Sequence, residues 1–181
     1  MALKASAIPY ESREISLRNK PAEMLALSPK GTVPVFITAE GMVLDESYEI
    51  MKWALSRNDP LGWLPKNSDA WAAIDDLIEE NDTTFKKHLD AYKYASRHPE
   101  LSISELRQSA MPYLCRLEDR IALDGYLFER QCGIVDVAVF PFIRQFRNVD
   151  PLWFDSLGLD ALGVWLKQFL ESDLFTRVMA A

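Results

Sequence analysis

The chain has 181 residues, 49% hydrophobic and 26% charged, with a formal net charge of −7 at pH 7. That is an ordinary globular balance, enough for one large domain or two small ones, and its acidity argues against a nucleic-acid partner, which needs a basic face. No apolar run has signal-peptide flanks or reaches membrane-spanning length.

Two cysteines, Cys115 and Cys132, stand without CxxC spacing. They suggest buried, reduced thiols rather than a disulfide framework, and hence a cytoplasmic protein. With His88 and His98 as the sole histidines, a metal site or a His-centred triad has little to draw on.

Ala2 to Ala7 is helix-like and stops at Pro9. Ile15 and Leu17 alternate with polar neighbours, as in a strand. Asn19-Lys20-Pro21 reads as a helix start, and that helix ends near Ser28-Pro29. Val33 to Ile37 is β-rich, and Ala39-Glu40-Gly41 turns the chain into Met42-Val43-Leu44. A third helix follows from about Glu46, with Ile50, Met51, Trp53 and Ala54 on its apolar side. Asn58-Asp59-Pro60-Leu61-Gly62 punctuates the chain. Residues 1–57 therefore read as an α/β domain and 58–66 as a linker.

Residues 67–181 read as all-helical. Trp71, Ile74, Ile78, Phe85, Leu89 and Tyr92 follow three- and four-residue steps, the stripe of one long helix. Ile103, Leu106, Ala110, Leu114, Leu117 and Ile121 make a second, with Pro112 expected to kink it. Val137, Phe140, Phe142 and Phe146 lie in a third, apolar on most faces and so expected at the centre. Leu159, Leu162, Trp165, Leu166, Phe169 and Leu170 make a fourth.

Ser28-Pro29-Lys30-Gly31-Thr32-Val33-Pro34-Val35, followed by Asp45-Glu46-Ser47, resembles the glutathione transferases in order and spacing. Leu17-Arg18-Asn19-Lys20-Pro21 is similar to the omega-type and related bacterial members. The resemblance covers essentially the whole chain. It implies an α/β thioredoxin-like N-terminal domain joined to an all-α C-terminal domain, and it implies a homodimer. In that family a strand, a turn and part of a helix come before the point where Met1 falls. The thioredoxin-like domain is therefore expected to be incomplete, with its first strand missing and the true start upstream. No residue here matches the family's catalytic cysteine, serine or tyrosine.

The resemblance assigns glutathione contacts to Lys20, Val33, Pro34, Glu46 and Ser47. Each also has a reading from the residues alone. A cis bond before Pro34 turns Val33's backbone groups outward, where an extended peptide pairs with them as with a strand edge; a trans proline ending a strand is the alternative. Ser47 at a helix N-terminus suits a carboxylate and Glu46 suits an ammonium; simple helix capping by Asp45 or Ser47 is the alternative. Lys20 suits a carboxylate, or is a solvated lysine.

In the helical half, Gly133-Ile134-Val135-Asp136 occupies the family's capping-box position, with glycine where serine or threonine is usual. Cys132 precedes that helix start and is read as structural, as is Cys115. Phe85, Tyr92 and Tyr94 line an electrophile pocket or pack a core; both readings stay open. The function implied is glutathione binding for conjugation, or thiol transfer, to a small hydrophobic electrophile or mixed disulfide. A non-catalytic module of the stringent starvation protein type and an inactive short form are the alternatives.

Overall fold

A computed structural model describes residues 1–180, which fall into two compact units divided between Gly62 and Trp63. Each unit has its own construction.

In the first unit, helix α1 (Ala2–Ala5) is shorter than the expected 2–7. It closes because Ala7 turns left-handed at φ 53°. There the Ala7 N–H donates to the Lys4 carbonyl and the Ile8 N–H to the Leu3 carbonyl, both at 3.2 Å. This is the paired closure of a Schellman turn, normally built on glycine.

The strand expected at Ile15 and Leu17 is absent. Ser16 and Asn19 instead form an isolated bridge, with the Asn19 N–H on the Ser16 carbonyl at 3.0 Å. A chain that turns back on itself within three residues leaves no ladder for a neighbouring strand.

Helix α2 (Ala22–Leu27) begins after Pro21, whose φ of −59° suits a helix start, and ends at extended Ser28. A residue before proline is pushed out of helical geometry, and Pro29 follows. Strands β1 (Phe36–Ile37) and β2 (Val43–Leu44) pair antiparallel, Phe36 opposite Leu44 and Ile37 opposite Val43. They are the whole sheet among the described residues. Gly41, at φ 86°, makes the turn between them.

Helix α3 (Ser47–Arg57) follows β2 after two residues and buries Ile50, Ala54 and Leu55. It packs on α1, where Ala2 is buried too. The Asn58 side chain donates to the Ser6 carbonyl at 3.0 Å and ties the two helix ends.

In the second unit every described element is helical, as expected. Helix α4 (Ser68–Glu80) starts at Asn67, whose side chain accepts from the Asp69 N–H. The single long helix expected across residues 71–92 is broken by a π-helical segment, Asn81–Phe85, before α5 (Lys86–Lys93). Competition for backbone and side-chain partners accompanies the break. The Thr83 hydroxyl donates to the Glu79 carbonyl at 2.7 Å, and buried Asn81 accepts from the Tyr113 hydroxyl at 3.3 Å.

Helix α6 (Ile103–Asp124) opens with a Ser102/Glu105 capping box and ends at left-handed Gly125. Helix α7 (Ile134–Arg147) buries Ile134, Val135, Val137, Val139, Phe140, Ile143 and Phe146, the central position its composition demanded. Helices α8 (Pro151–Asp155), α9 (Asp160–Leu170) and α10 (Asp173–Met179) complete the unit. Among the described residues, no helix is long and apolar enough to cross a membrane.

Candidate functional site

The residues to which the sequence assigns glutathione contacts, Lys20, Val33, Pro34, Glu46 and Ser47, all lie in the first unit. Glu46 is the N-cap of α3, extended at φ −118° and ψ 130°, and its side chain caps nothing. Ser47 is the first helical residue. A helix start leaves N–H groups without intrahelical partners and carries partial positive charge, so Ser47's amide and hydroxyl stand where an anion is favoured.

Facing them is Lys30. Its ammonium donates to Asp45 Oδ1 at 2.9 Å and to Glu46 Oε1 at 2.6 Å. The hydroxyl of buried Ser28 donates to the other Asp45 oxygen at 2.7 Å. The Lys30 ammonium first and the Ser28 hydroxyl second hold the Asp45 carboxyl below the usual carboxylate range. In return, Glu46 first and Asp45 second push the Lys30 ammonium above its ordinary range. Two carboxylates and one lysine thus tie the loop to the head of α3.

The same loop also reaches Lys20. Gly31 sits at φ 63°, and a Cβ there would meet Leu25 Cδ2 at 3.1 Å and Lys20 Nζ at 3.4 Å. Glycine therefore serves both the backbone turn and the close approach of the lysine. Lys20 is half-buried, and its ammonium makes no ion pair among the described residues. A positive charge held against the chain without a partner suits an incoming carboxylate.

Two residues beyond Gly31, the Val33–Pro34 peptide bond is cis, the isomer the motif pointed to. Val33 is 49% exposed. The loop carries Gly31 against Lys20, presents Lys30 to Glu46 beside Ser47, and leads directly into Val33 and Pro34. No hydrogen bond joins Lys20, Val33 and Glu46 to one another among the described residues. What they share is this loop.

Lys30, Ser28 and Asp45 were missed as participants by sequence reasoning. The motif contains all three, but the bonded partners lie 15 to 17 residues apart, and only the fold shows that they pair. A lysine followed at long range by Asp-Glu is too common a pattern to signal contact.

The residues considered for other roles settle differently. Burial pushes the Cys132 thiol upward, with the Asp136 charge as a second cause, so it is the reverse of an activated thiolate. Cys115 is exposed on α6. Phe85 and Tyr92 are core residues: Phe85 stacks on Tyr113 at 4.6 Å and Tyr92 packs on Phe146 at 5.1 Å between ring centroids. Tyr94 is exposed, with Arg97 over its ring. No group of three or more His, Cys, Asp or Glu residues is placed to hold a metal among the described residues.

Residues 1–61 match the family model described as the glutathione S-transferase N-terminal domain. Among solved structures, a glutathione transferase from Populus trichocarpa superposes with a TM-score of 0.81 at 18% identity, over 99% of this chain and 90% of that one. A glutathione S-transferase from Rhodospirillum rubrum gives 0.78 at 18% identity, over 96% and 82%. A glutathione transferase homologue from Sulfitobacter, solved with bound glutathione, gives 0.75 at 15% identity, over 99% and 89%. No curated protein matches the sequence.

Proposed function

We propose that this chain, whose residues 1–61 belong to the glutathione S-transferase N-terminal domain family and whose fold throughout is that of these transferases, binds glutathione at the head of α3. The observation that carries the reading is the charge arrangement. Lys20, a lysine without an ion pair among the described residues, lies against Gly31 of the Ser28–Pro34 loop, and Lys30 of the same loop reaches a helix N-terminus that carries Ser47 beside the Glu46 carboxylate. Glutathione has two carboxylates and one ammonium along an extended backbone, which is the complement of that set.

In this reading the Ser47 amide and hydroxyl donate to the γ-glutamyl carboxylate, assisted by the helix dipole. Glu46 faces the neighbouring ammonium. Val33 pairs its backbone with the cysteinyl unit as a strand edge does, with Pro34 shaping the turn, and Lys20 takes a carboxylate. The chemistry that follows is conjugation, or thiol transfer, to a small hydrophobic electrophile or a mixed disulfide. We include in the proposal a homodimer and a cytoplasmic setting, which the two free cysteines suit. No catalytic residue is assigned, and Cys132 is not a candidate because its thiol is held protonated.

Calorimetric titration with S-methylglutathione tests the binding. A hydrogen bond to a charged group is worth about 1.5–3 kcal/mol, so Lys20→Met weakens affinity roughly tenfold or more. Ser47→Ala weakens it less, since the helix N–H groups remain, and Cys132→Ser leaves it unchanged. Affinity unmoved by Lys20→Met, or no binding by the unmodified chain at millimolar ligand, contradicts the proposal.

A further inference from the structure

Ser28 is fully buried, and its polar atoms serve three structures at once. Its N–H donates to the Met24 carbonyl at 2.8 Å and closes α2, and its carbonyl accepts from the Gly31 N–H at 3.0 Å. Its hydroxyl donates to Asp45 Oδ2 at 2.7 Å, across 17 residues. Asp45 stands between Leu44, the last residue of β2, and Glu46, the N-cap of α3. The Ser28–Asp45 bond therefore closes a ring. From Ser28 the chain runs through Val33 and Pro34 into β1, crosses the ladder to β2, and returns at Asp45. Val33 lies within this ring, and Ser47 follows two residues after its closure. Lys30 reinforces the closure from outside, but exposed ion pairs hold little in water. The Ser28 hydroxyl, by contrast, has no solvent to turn to when its acceptor is lost.

From this geometry we infer that Ser28 and Asp45 are positioning residues, which hold the Val33 edge and the head of α3 at one spacing so that the two read a single extended ligand. The inference rests on the proposed glutathione seat, in which neither residue touches the ligand. With the closure broken, the loop samples other placements. Only the fraction of chains with both points in register then takes a ligand that spans them, and its apparent affinity falls by that fraction. A ligand that meets the head of α3 alone needs no such register.

The test compares two ligands by titrating the 15N-labelled chain and reading each affinity from the Ser47 amide. S-methylglutathione spans both points, whereas γ-glutamylmethylamide offers only the γ-glutamyl head. The unmodified chain is expected to prefer S-methylglutathione by about tenfold or more. In Ser28→Ala and Asp45→Ala that preference falls by about three- to tenfold, while the affinity of the fragment stays within about twofold. Asp45→Asn keeps an acceptor for the Ser28 hydroxyl and retains most of the preference. Both ligands are measured on the same protein, so a fraction of unfolded chain lowers the two apparent affinities alike and leaves their ratio unmoved. A ratio unchanged in Ser28→Ala and Asp45→Ala, a fragment affinity that falls in step with that of S-methylglutathione, or an Asp45→Asn no better than Asp45→Ala overturns the inference and leaves the glutathione reading intact. So does a fragment that binds the unmodified chain as well as S-methylglutathione does, or that never shifts Ser47. Binding of neither ligand to the unmodified chain overturns both.

Discussion

At the scale of single residues, the Ser28–Pro34 loop shows how much chemistry can depend on spacing that a linear reading passes over. Gly31 was visible as part of a motif, but its work is steric. At φ 63° and with Lys20 Nζ 3.4 Å from where a Cβ would sit, any larger residue strains the turn and moves the lysine. Lys30 was quoted in the same motif with no role, because a surface lysine carries no signal until its partners are known. Ala7 was invisible for a different reason. Its left-handed conformation belongs to glycine, and the sequence there reads simply as the end of a helix. A non-glycine residue in that region costs about 1 kcal/mol, sometimes more. Ala7→Gly keeps the Schellman bonds and removes the strain, so it is expected to stabilise the first unit by up to about 1 kcal/mol. Denaturant unfolding followed by Trp53 fluorescence checks this; a destabilised variant would show that the strain is absorbed elsewhere.

Among the elements, legibility tracked periodicity. Helices α6, α7 and α9 were readable because apolar residues at three- and four-residue steps mark a buried stripe over many turns. The short strands β1 and β2 were readable from the β-rich run at Val33 to Ile37 and the Ala39-Glu40-Gly41 turn rather than from a stripe, whereas the run of alternation around Ile15 proved to be a local turn. The π segment at Asn81–Phe85 preserves the apolar stripe on either side, so nothing in the pattern announces it. Glu118 on α6 accepts from the Ala161 and Leu162 N–H groups and caps α9 across 43 and 44 residues, a partnership that sequence spacing cannot show.

The cap of α7 was readable, and its structure is richer than expected. Asp136 accepts from the Gly133 N–H at 3.0 Å, the Leu127 N–H at 2.9 Å and the Trp165 indole N–H at 2.8 Å. Burial outweighs these bonds and pushes its carboxyl up from 3.8 to about 6. A raised folded-state value means that the native state holds the proton more tightly than the unfolded chain between those two pH values. Asp136 therefore contributes most below about pH 4, and that contribution declines as pH rises through about 6, by on the order of 3 kcal/mol in all. Asp136→Asn cannot titrate. Urea unfolding at pH 4.5 and pH 7 is thus expected to show a larger deficit of the variant, relative to the unmodified chain, at the lower pH. An equal deficit at both, or a larger one at pH 7, would mean that the three hydrogen bonds keep Asp136 ionised throughout.

For the molecule as a whole, the order of signals was the informative feature. Ser28-Pro29-Lys30-Gly31, Val33-Pro34 and Glu46-Ser47 are each weak alone, but their sequence along the chain pointed to the fold that both units adopt. The two units differ in how they are held. The second has a broad aromatic core, in which Phe140 stacks on Phe169 at 4.8 Å between ring centroids. In residues 1–62 the buried apolar side chains are Ala2, Ile50, Ala54 and Leu55, a small core for the unit that carries the proposed seat. The site is correspondingly organised by charge and backbone turns, through Lys30, Gly31 and Asp45, more than by packing.

The central claim is that glutathione is held at the head of α3 within the first unit. The most direct measurement is the amide spectrum of the uniformly 15N-labelled chain titrated with S-methylglutathione. The largest shifts are expected at Gly31, Val33 and Ser47, saturating together with the affinity read by calorimetry. Shifts concentrated in residues 63–180, or a spectrum unchanged at millimolar ligand, would contradict the account.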